Sequence, residues 1–229
     1  MLIKSPHVKI TQEESIFIHE EACNKLNCES CHELHNANES TYLGYIIDNK
    51  WSHKKHIDNL IEKLRRIMPK LYQLKYILNN NNKKTLYYAW IESVIRYGIE
   101  VYGFAAETYV SRLQRVQNKI IKLLFKKEEL NTETLFKTHK ILKIKQLRDY
   151  VVTVNNYYSD RFKPVNKEKA QILRKSTYRY EMSHPNNEYG KRKRDYFIPS
   201  IFNKIPEHLW HLPTISKVKK EMKLYFSNI

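Results

Sequence analysis

The sequence contains one tight cluster of residues that could bind a metal ion. Cys23, Cys28, Cys31 and His35 lie within the stretch CNKLNCESCHELH, with His32 as a spare ligand. Three thiolates and one imidazole suit the tetrahedral coordination of Zn²⁺. The stretch contains no glycine, however, and glycines help so short a loop to fold around a metal. We therefore favour the alternative, a loop with reduced thiols that joins two strands, and we predict no stoichiometric zinc.

Carboxylates that could hold catalytic metal ions are sparse. Phosphoryl transfer by two metal ions requires clustered carboxylates. The aspartates of this chain are Asp48, Asp58, Asp149, Asp160 and Asp195, and they lie far apart in the sequence. A glycine-rich phosphate loop, a G-x-S-x-G turn and an H-E-x-x-H helix are also missing from the sequence. We therefore predict no catalytic residue and no cofactor within these 229 residues.

Basic side chains are the more informative feature of the composition. The chain carries 41 Lys and Arg against 24 Asp and Glu, a net charge of +17. Such an excess commonly serves a polyanionic partner, above all nucleic acid. Residues 1–50 hold 4 basic and 8 acidic residues, whereas residues 51–127 hold 16 and 5. The acidic start and the basic body are therefore expected to be separate structural pieces.

The basic residues fall on predicted helices with apolar stripes. In residues 108–127 the apolar positions recur at helical spacing, which predicts an amphipathic helix. Its apolar stripe consists of Leu113, Val116, Ile120, Ile121 and Leu124, and its other face is basic. A basic face opposite an apolar stripe can contact phosphates along a duplex. The alternative is a solvated face of mixed charge with no ligand.

Two later stretches, RKSTYRY (174–180) and YGKRKRDYF (189–197), alternate basic and aromatic residues. This pattern permits phosphate contact and base stacking, although KRKR could equally be a nuclear localisation signal. The predicted nucleic-acid-binding residues are Lys54, Lys55, Arg65, Arg66, Arg112, Arg115, Lys119, Lys122, Lys126, Arg174, Lys175, Lys191, Arg192, Lys193 and Arg194.

Short strands are predicted before residue 50 and helices after it. Alternating apolar residues predict two strands within residues 7–20 and a third over residues 41–48. From Ser52, a candidate N-cap, the apolar spacing predicts a helix that Pro69 should kink or split.

Further helices are predicted along the rest of the chain. One covers residues 83–102 and buries Leu86, Trp90, Val94 and Ile95. Shorter helices follow Asn131 and cover residues 144–158, the segment 160–195 is extended or rich in loops, and two helical segments close the chain.

These patterns predict a mostly α-helical protein with a small β element at the N-terminus. We expect residues 1–50 to form the strands and the Cys-containing hairpin, residues 51–127 a helical bundle, and residues 128–229 a basic region of helices and loops. No stretch approaches the roughly 20 apolar residues that span a bilayer. The opening MLIKSPHVKI has no long apolar core after a basic start, so we do not expect it to be a secretory signal. Three cysteines without such a signal favour a reducing compartment, nuclear or cytoplasmic.

The stretch YLGYIIDNKWSHKKHIDNLIEKL resembles the end of the palm and the start of the thumb in LINE-type (non-LTR) retrotransposon reverse transcriptases, especially jockey-like elements. The strand of that family is matched by Tyr42, Leu43, Gly44, Ile47 and Asp48. His56 and Ile57 match the start of the following helix, although Trp51 lies two residues before the usual position, where this chain has His53.

The resemblance continues through four later blocks in the order of the family, to about residue 229. They are TLYYAWIESVIRYGIEVYG, RLQRVQNKIIKLLF with Gln114, Gln117 and Asn118 in register, LFKTHKILKIKQLRDY, and YGKRKRDYFIPSIFNKIPEHL. Each block is weak alone, whereas five blocks in sequence are a strong signal.

The resemblance implies a fragment of an RNA-directed DNA polymerase that keeps its template–primer surfaces. Tyr42, Leu43 and Gly44 correspond to the primer grip. The Asp pair that binds Mg²⁺ in the family is not found in this sequence, so we expect the chain to be inactive alone. The implied partners are RNA, DNA or an RNA–DNA hybrid duplex, and a polymerase core acting in trans. The alternatives are a domesticated RNA- or DNA-binding module and a structural helical protein whose charge is incidental.

Overall fold

A computed structural model of the chain describes residues 16–18, 32–34, 37–125, 131–159, 180–187, 190–210 and 212–229. The chain divides into two compact units, residues 1–59 and 60–229. Helices dominate the described residues, and strands occur only before residue 49 in this part of the chain. The predicted fold class, mostly α with a small β element, is confirmed. The three predicted regions stay a prediction.

The strands form two antiparallel hairpins. β1 (Ile16–Ile18) pairs with β2 (His32–Leu34), and β3 (Glu39–Tyr42) pairs with β4 (Tyr45–Asp48). The prediction of one continuous strand over residues 41–48 is therefore wrong, because the chain reverses at Leu43 and Gly44. Both residues have positive φ, 48° and 76°, as the tight turns that join two strands require.

The long helix α1 (Lys54–Leu74) begins two residues after Ser52 and continues through Pro69. Ser52 is therefore not its N-cap, and the helix is not split. The next helix, α2 (Asn80–Leu86), begins at Asn79, whose side chain accepts a hydrogen bond from the backbone N–H of Asn82. The helix predicted over residues 83–102 therefore begins earlier, at Asn80.

α2 continues without interruption into a π-helical turn (Tyr87–Glu92) and α3 (Ser93–Arg96). Gly98, at φ 70°, ends this helix and precedes the short helix α4 (Ile99–Tyr102). The predicted buried face is mostly wrong: Trp90 is 39% exposed, and Leu86 and Val94 are half-buried. The buried residues are Tyr87, Ile91, Ile95, Ile99 and Tyr102. A π-turn accommodates one extra residue. Side chains spaced four residues apart therefore stay on the same, buried face of this helix.

Three helices form the middle of the second unit. They are α5 (Glu107–Phe125), α6 (Thr132–His139) and α7 (Ile144–Asn156), and α5 packs against α6 and α7. A helix follows Asn131 as predicted, and Asn131 caps it by accepting from the N–H of Thr134 at 2.9 Å. Gly103 allows a close approach: a Cβ there would clash with the backbone carbonyl oxygen of Ile99 and lie 2.9 Å from the Arg148 side chain, which explains a glycine at this position.

The closing segment packs on the same unit. α8 (Arg194–Phe202) and α9 (Ile215–Asn228) both contact α7. The ring of Phe197 stacks on Phe104 at 3.7 Å, and the Tyr157 hydroxyl donates to the carbonyl of Leu209 at 2.7 Å. The two predicted closing helical segments are confirmed. No helix among the described residues is long and apolar enough to cross a membrane.

Candidate nucleic-acid interface

Three of the five predicted basic residues of α5 lie exposed opposite its apolar stripe. All five residues of the predicted apolar stripe are buried. Arg115, Lys119 and Lys122 are exposed on the other side, and none of them forms an ion pair with a described residue. Arg112 is half-buried, and Lys126 lies outside the described residues. Three exposed cations at spacings of four and three residues, without an ion-pair partner in the described part of the chain, therefore line one side of this helix.

Side-chain amides attach α5 to the start of α7. Gln114 accepts from the backbone N–H of Ile144 at 2.8 Å, which satisfies one of the free donors at the N-terminus of α7. Its amide donates to Gln117 at 2.8 Å and to Asn118 at 2.7 Å. Gln117, fully buried, donates to the Tyr87 hydroxyl at 2.8 Å and to the Leu142 carbonyl at 2.9 Å. These amides hold the helix that carries the basic face, a role that periodicity could not reveal.

The predicted basic residues of α1 are exposed, but two of them are already paired. Lys55 forms an ion pair with Glu39, and Arg66 forms one with Glu62 at 2.9 Å. Lys54 and Arg65 are exposed without a paired carboxylate among the described residues. Exposed ion pairs are weak, so the paired cations could still exchange a carboxylate for a phosphate.

The basic stretch before α8 lies at the surface. Lys191 and Lys193 are exposed, Arg192 is half-buried, and Arg194 donates to the Asn156 side chain at 3.0 Å. Arg174 and Lys175 lie outside the described residues. The structure therefore places part of this stretch at the start of α8, where Arg194 also helps to dock the helix on α7.

The predicted primer-grip residues form the tip of the second hairpin. Tyr42 and Leu43 are 67% and 74% exposed, and a Cβ added at Gly44 would meet no atom within 4 Å. A leucine with positive φ is strained relative to glycine or asparagine.

Several hydrogen bonds connect this hairpin to the start of α1. The Asp48 carboxylate accepts hydrogen bonds from the N–H groups of Lys50, Ser52 and His53 at 2.8–3.1 Å. Partial burial acts to raise the pKa of Asp48, but these hydrogen bonds together hold it below its ordinary value. The Tyr45 hydroxyl lies 2.8 Å from His53 Nδ1, and burial raises the pKa of Tyr45. Asp48 therefore has a structural role that the sequence did not reveal.

An exposed aromatic pair near the end of α1 was missed by the sequence analysis. The rings of Tyr72 and Tyr76 are 6.2 Å apart, and Lys75 Nζ lies 4.2 and 4.5 Å from their centroids. Both tyrosines are more than half exposed. Exposed aromatic rings beside a cation suit base stacking. The sequence signal that could have revealed this pair is two tyrosines four residues apart on a basic helix.

A buried charge in the π-turn was also missed. Glu92 is 5% exposed; its Oε1 accepts from Arg96 at 2.7 Å, and its Oε2 has no hydrogen-bond partner among the described residues. Lys223 of α9 lies with Nζ 4.2 Å from the ring centroid of Tyr88. Burial lowers the pKa of Lys223, and Glu92 acts against this shift. The contact between Lys223 and Tyr88 thus attaches α9 to the π-turn.

The described residues contain no group of three or more His, Cys, Asp or Glu side chains that could hold a metal ion. Cys23, Cys28, Cys31 and His35 lie outside these residues, so the expectation about zinc stays a prediction. The five aspartates of the sequence include three that are half-buried in the structure, Asp48, Asp58 and Asp149. Of these, Asp149 accepts from Arg148 at 2.7 Å.

Comparison with known proteins connects this chain to enzymes of mobile elements. It is 28% identical over 142 residues, 61% of its length, to a probable RNA-directed DNA polymerase from transposon X-element of Drosophila melanogaster. The chain is similar to the reverse transcriptases of non-LTR retrotransposons. A second such relative is the RNA-directed DNA polymerase from mobile element jockey of Drosophila funebris, 29% identical over 39% of the chain. A third is a probable RNA-directed DNA polymerase from transposon BS of Drosophila melanogaster, 23% identical over 57% of the chain.

The similarity to non-LTR reverse transcriptases confirms the resemblance that the sequence blocks predicted. It is partial, because the aligned residues span only 15%, 10% and 14% of the three relatives. No family model and no solved structure matches the chain.

Proposed function

We propose that this chain binds a nucleic-acid duplex through the basic face of α5, in the manner of a polymerase thumb that holds a template–primer. The observation that carries the proposal is the exposure of Arg115, Lys119 and Lys122 opposite a buried stripe, without carboxylate partners among the described residues. The similarity to non-LTR reverse transcriptases supports it, since those relatives are named as RNA-directed DNA polymerases.

The length of the face sets the expected number of phosphate contacts. A helix rises about 1.5 Å per residue, so the seven steps from Arg115 to Lys122 cover roughly 10 Å. Each neutralised phosphate contributes about 0.7–0.9 to the slope of log K against log salt. Three contacts therefore predict a contribution of about −2 to −3. Such contacts read no sequence, which is what a surface that slides along template and primer requires.

We propose a second, separate contact at the hairpin tip. Tyr42, Leu43 and Gly44 would lie against the primer end in the way of a primer grip, with Leu43 supplying apolar contact to sugar or base. The exposure of both large side chains and the positive φ of Leu43 support this role. The hydrogen bonds of Asp48 would keep the tip fixed relative to the first turn of α1.

The test of the proposal is duplex binding by the full chain over a series of salt concentrations. Arg115, Lys119 and Lys122 are changed together to Gln, and fluorescence anisotropy is measured with a blunt RNA–DNA hybrid. The matched control changes three exposed lysines of α9, Lys217, Lys219 and Lys220, to Gln, which removes the same net charge.

We expect the α5 variant to lose about 2–3 units of salt slope and to keep its helical circular dichroism, because exposed positions usually contribute little to stability. The control should retain most of the slope, since only its long-range charge is reduced. Equal slopes for parent and α5 variant would mean that this face is only solvated. An equal loss in both variants would mean that net charge alone attracts the duplex.

A further inference from the structure

The second unit contains a cavity of about 610 Å³ beside the basic face of α5. It is lined by the first half of α5, the start of α7, the end of α8 and the end of α9. Its apolar wall includes Val110, Ile201 and Phe226, and the ring of Tyr225 completes it. Ligand pockets commonly have volumes of about 300–1,000 Å³ and mostly apolar walls with a few polar groups. A mononucleotide-sized ligand therefore fits its dimensions.

The charges at the cavity are unbalanced in favour of cations. Lys145 pairs with Glu107 at 2.8 Å, Lys143 pairs with Glu133 at 3.2 Å, and Asp149 accepts from Arg148. Arg115 and Lys204 also line the cavity, and neither has an ion-pair partner among the described residues. Two cations that have no ion-pair partner in the described ranges, beside an apolar wall, suit a ligand with an anionic part and a flat apolar part.

Hydrogen-bonding groups are available at the same wall. Gln146 uses its carbonyl oxygen to accept from the N–H of Lys143 at 2.8 Å, which leaves its amide N–H groups for another acceptor. Ser111 donates to the Thr108 carbonyl at 3.1 Å and keeps its oxygen as an acceptor. A nucleobase has both an apolar face and an edge of donors and acceptors, whereas an acyl chain would leave these groups without partners.

We propose that this cavity receives an unpaired nucleotide at the end of the nucleic acid that lies along α5. The proposal rests on the proposed function. Arg115 belongs both to the basic face and to the cavity wall, so a strand that contacts Lys122, Lys119 and Arg115 in turn reaches the cavity. The base packs against the apolar wall, and its phosphate lies between Arg115 and Lys204.

The experiment compares blunt duplexes with duplexes that carry a short single-stranded overhang, using the full chain. The parent should bind the overhang duplex about five- to tenfold more tightly, as expected for one well-stacked base. Two variants test the cavity: Lys204→Gln removes the cation that is not part of α5, and Ser111→Trp fills the space. Both should abolish the preference for the overhang while blunt-duplex affinity changes less than twofold. Lys217→Gln is the matched control and should keep the preference.

A photoreactive base at the end of the overhang locates the contact directly. We expect the cross-linked peptide to contain Tyr225, identified by mass spectrometry, and the cross-link to disappear in Ser111→Trp. A parent that binds blunt and overhang duplexes equally well would overturn this inference alone, as would a cross-link outside the cavity. A parent that binds neither duplex would overturn the proposed function instead.

Discussion

The buried amide of Gln117 offers a quantitative test of how α5 is held in place. The side chain is fully buried and bonds two groups from different segments, the Tyr87 hydroxyl at 2.8 Å and the Leu142 carbonyl at 2.9 Å. Gln117→Met keeps the length of the side chain but removes both of these hydrogen bonds, and also the one that Gln117 accepts from Gln114. Each buried group left without a partner costs about 1–3 kcal/mol, so we expect a loss of roughly 2–6 kcal/mol in the free energy of unfolding.

Tyr87→Phe probes the same network from its other end. In the parent it removes one hydrogen bond, and Gln117 still donates to Leu142, so the cost should be about 0.5–1.5 kcal/mol. In the Gln117→Met background the hydroxyl is already without its partner. Removing it should there be neutral or should restore about 1–3 kcal/mol. The two substitutions are therefore strongly non-additive.

The assay is urea denaturation of all four proteins, followed by far-ultraviolet circular dichroism. Gln73→Met, the same substitution at an exposed position of α1, is the control and should change stability by less than about 0.5 kcal/mol. An equal slope of the free energy of unfolding against urea concentration in all the proteins indicates that each exposes the same amount of surface when it unfolds. If Tyr87→Phe costs the same in both backgrounds, the hydrogen bond to Gln117 contributes nothing, and packing alone holds α5.

Three further predictions concern substitutions of single residues. Asp48→Asn should destabilise the chain by roughly 0.5–2 kcal/mol at neutral pH. Because the folded-state pKa of Asp48 is lowered, the parent should lose this advantage as the pH falls through that pKa; a gap that persists in acid, measured by urea denaturation, would contradict this. Leu43→Asn should raise the melting temperature, because Asn tolerates positive φ, and weaken duplex binding; unchanged binding in the anisotropy assay would exclude the hairpin tip. Lys140→Gly should stabilise by about 0.5–1.5 kcal/mol, because Lys140 ends α6 at φ 51°; a lower midpoint in urea would argue against that strain.

The sequence predicted those elements whose buried and exposed positions follow one regular period. The stripe of α5 is an example: five apolar residues at helical spacing are all buried, and the cations between them are exposed. The hairpin at Leu43 and Gly44 was not predicted, because apolar residues continue on both sides of the turn and their pattern is typical of one strand. Leucine is also rare at positive φ, so it gave no turn signal.

The parts of the candidate interface that the sequence did not predict depend on contacts between distant residues. Gln114 and Gln117 are polar residues on a helix and would be expected at the surface, yet they bond Ile144, Leu142 and Tyr87. The cavity likewise requires α7, α8 and α9 to meet α5. Periodicity within one helix holds no information about which other segments meet it.

The π-turn at Tyr87–Glu92 also affects how this chain must be aligned with its relatives. Successive residues of an α-helix differ in direction by about 100°, and a π-turn accommodates one additional residue without changing the faces that lie beyond it. A protein whose corresponding helix is regular would therefore have one residue fewer between Asn80 and Arg96. If α2 is aligned and no gap is placed in this turn, every residue beyond the turn is shifted by one position, so the buried Ile95 of this chain would be paired with a residue on another face of that helix. The single-residue insertion or deletion that this helix can absorb is thus confined to the turn, whereas one in α5 would rotate its cations into the core.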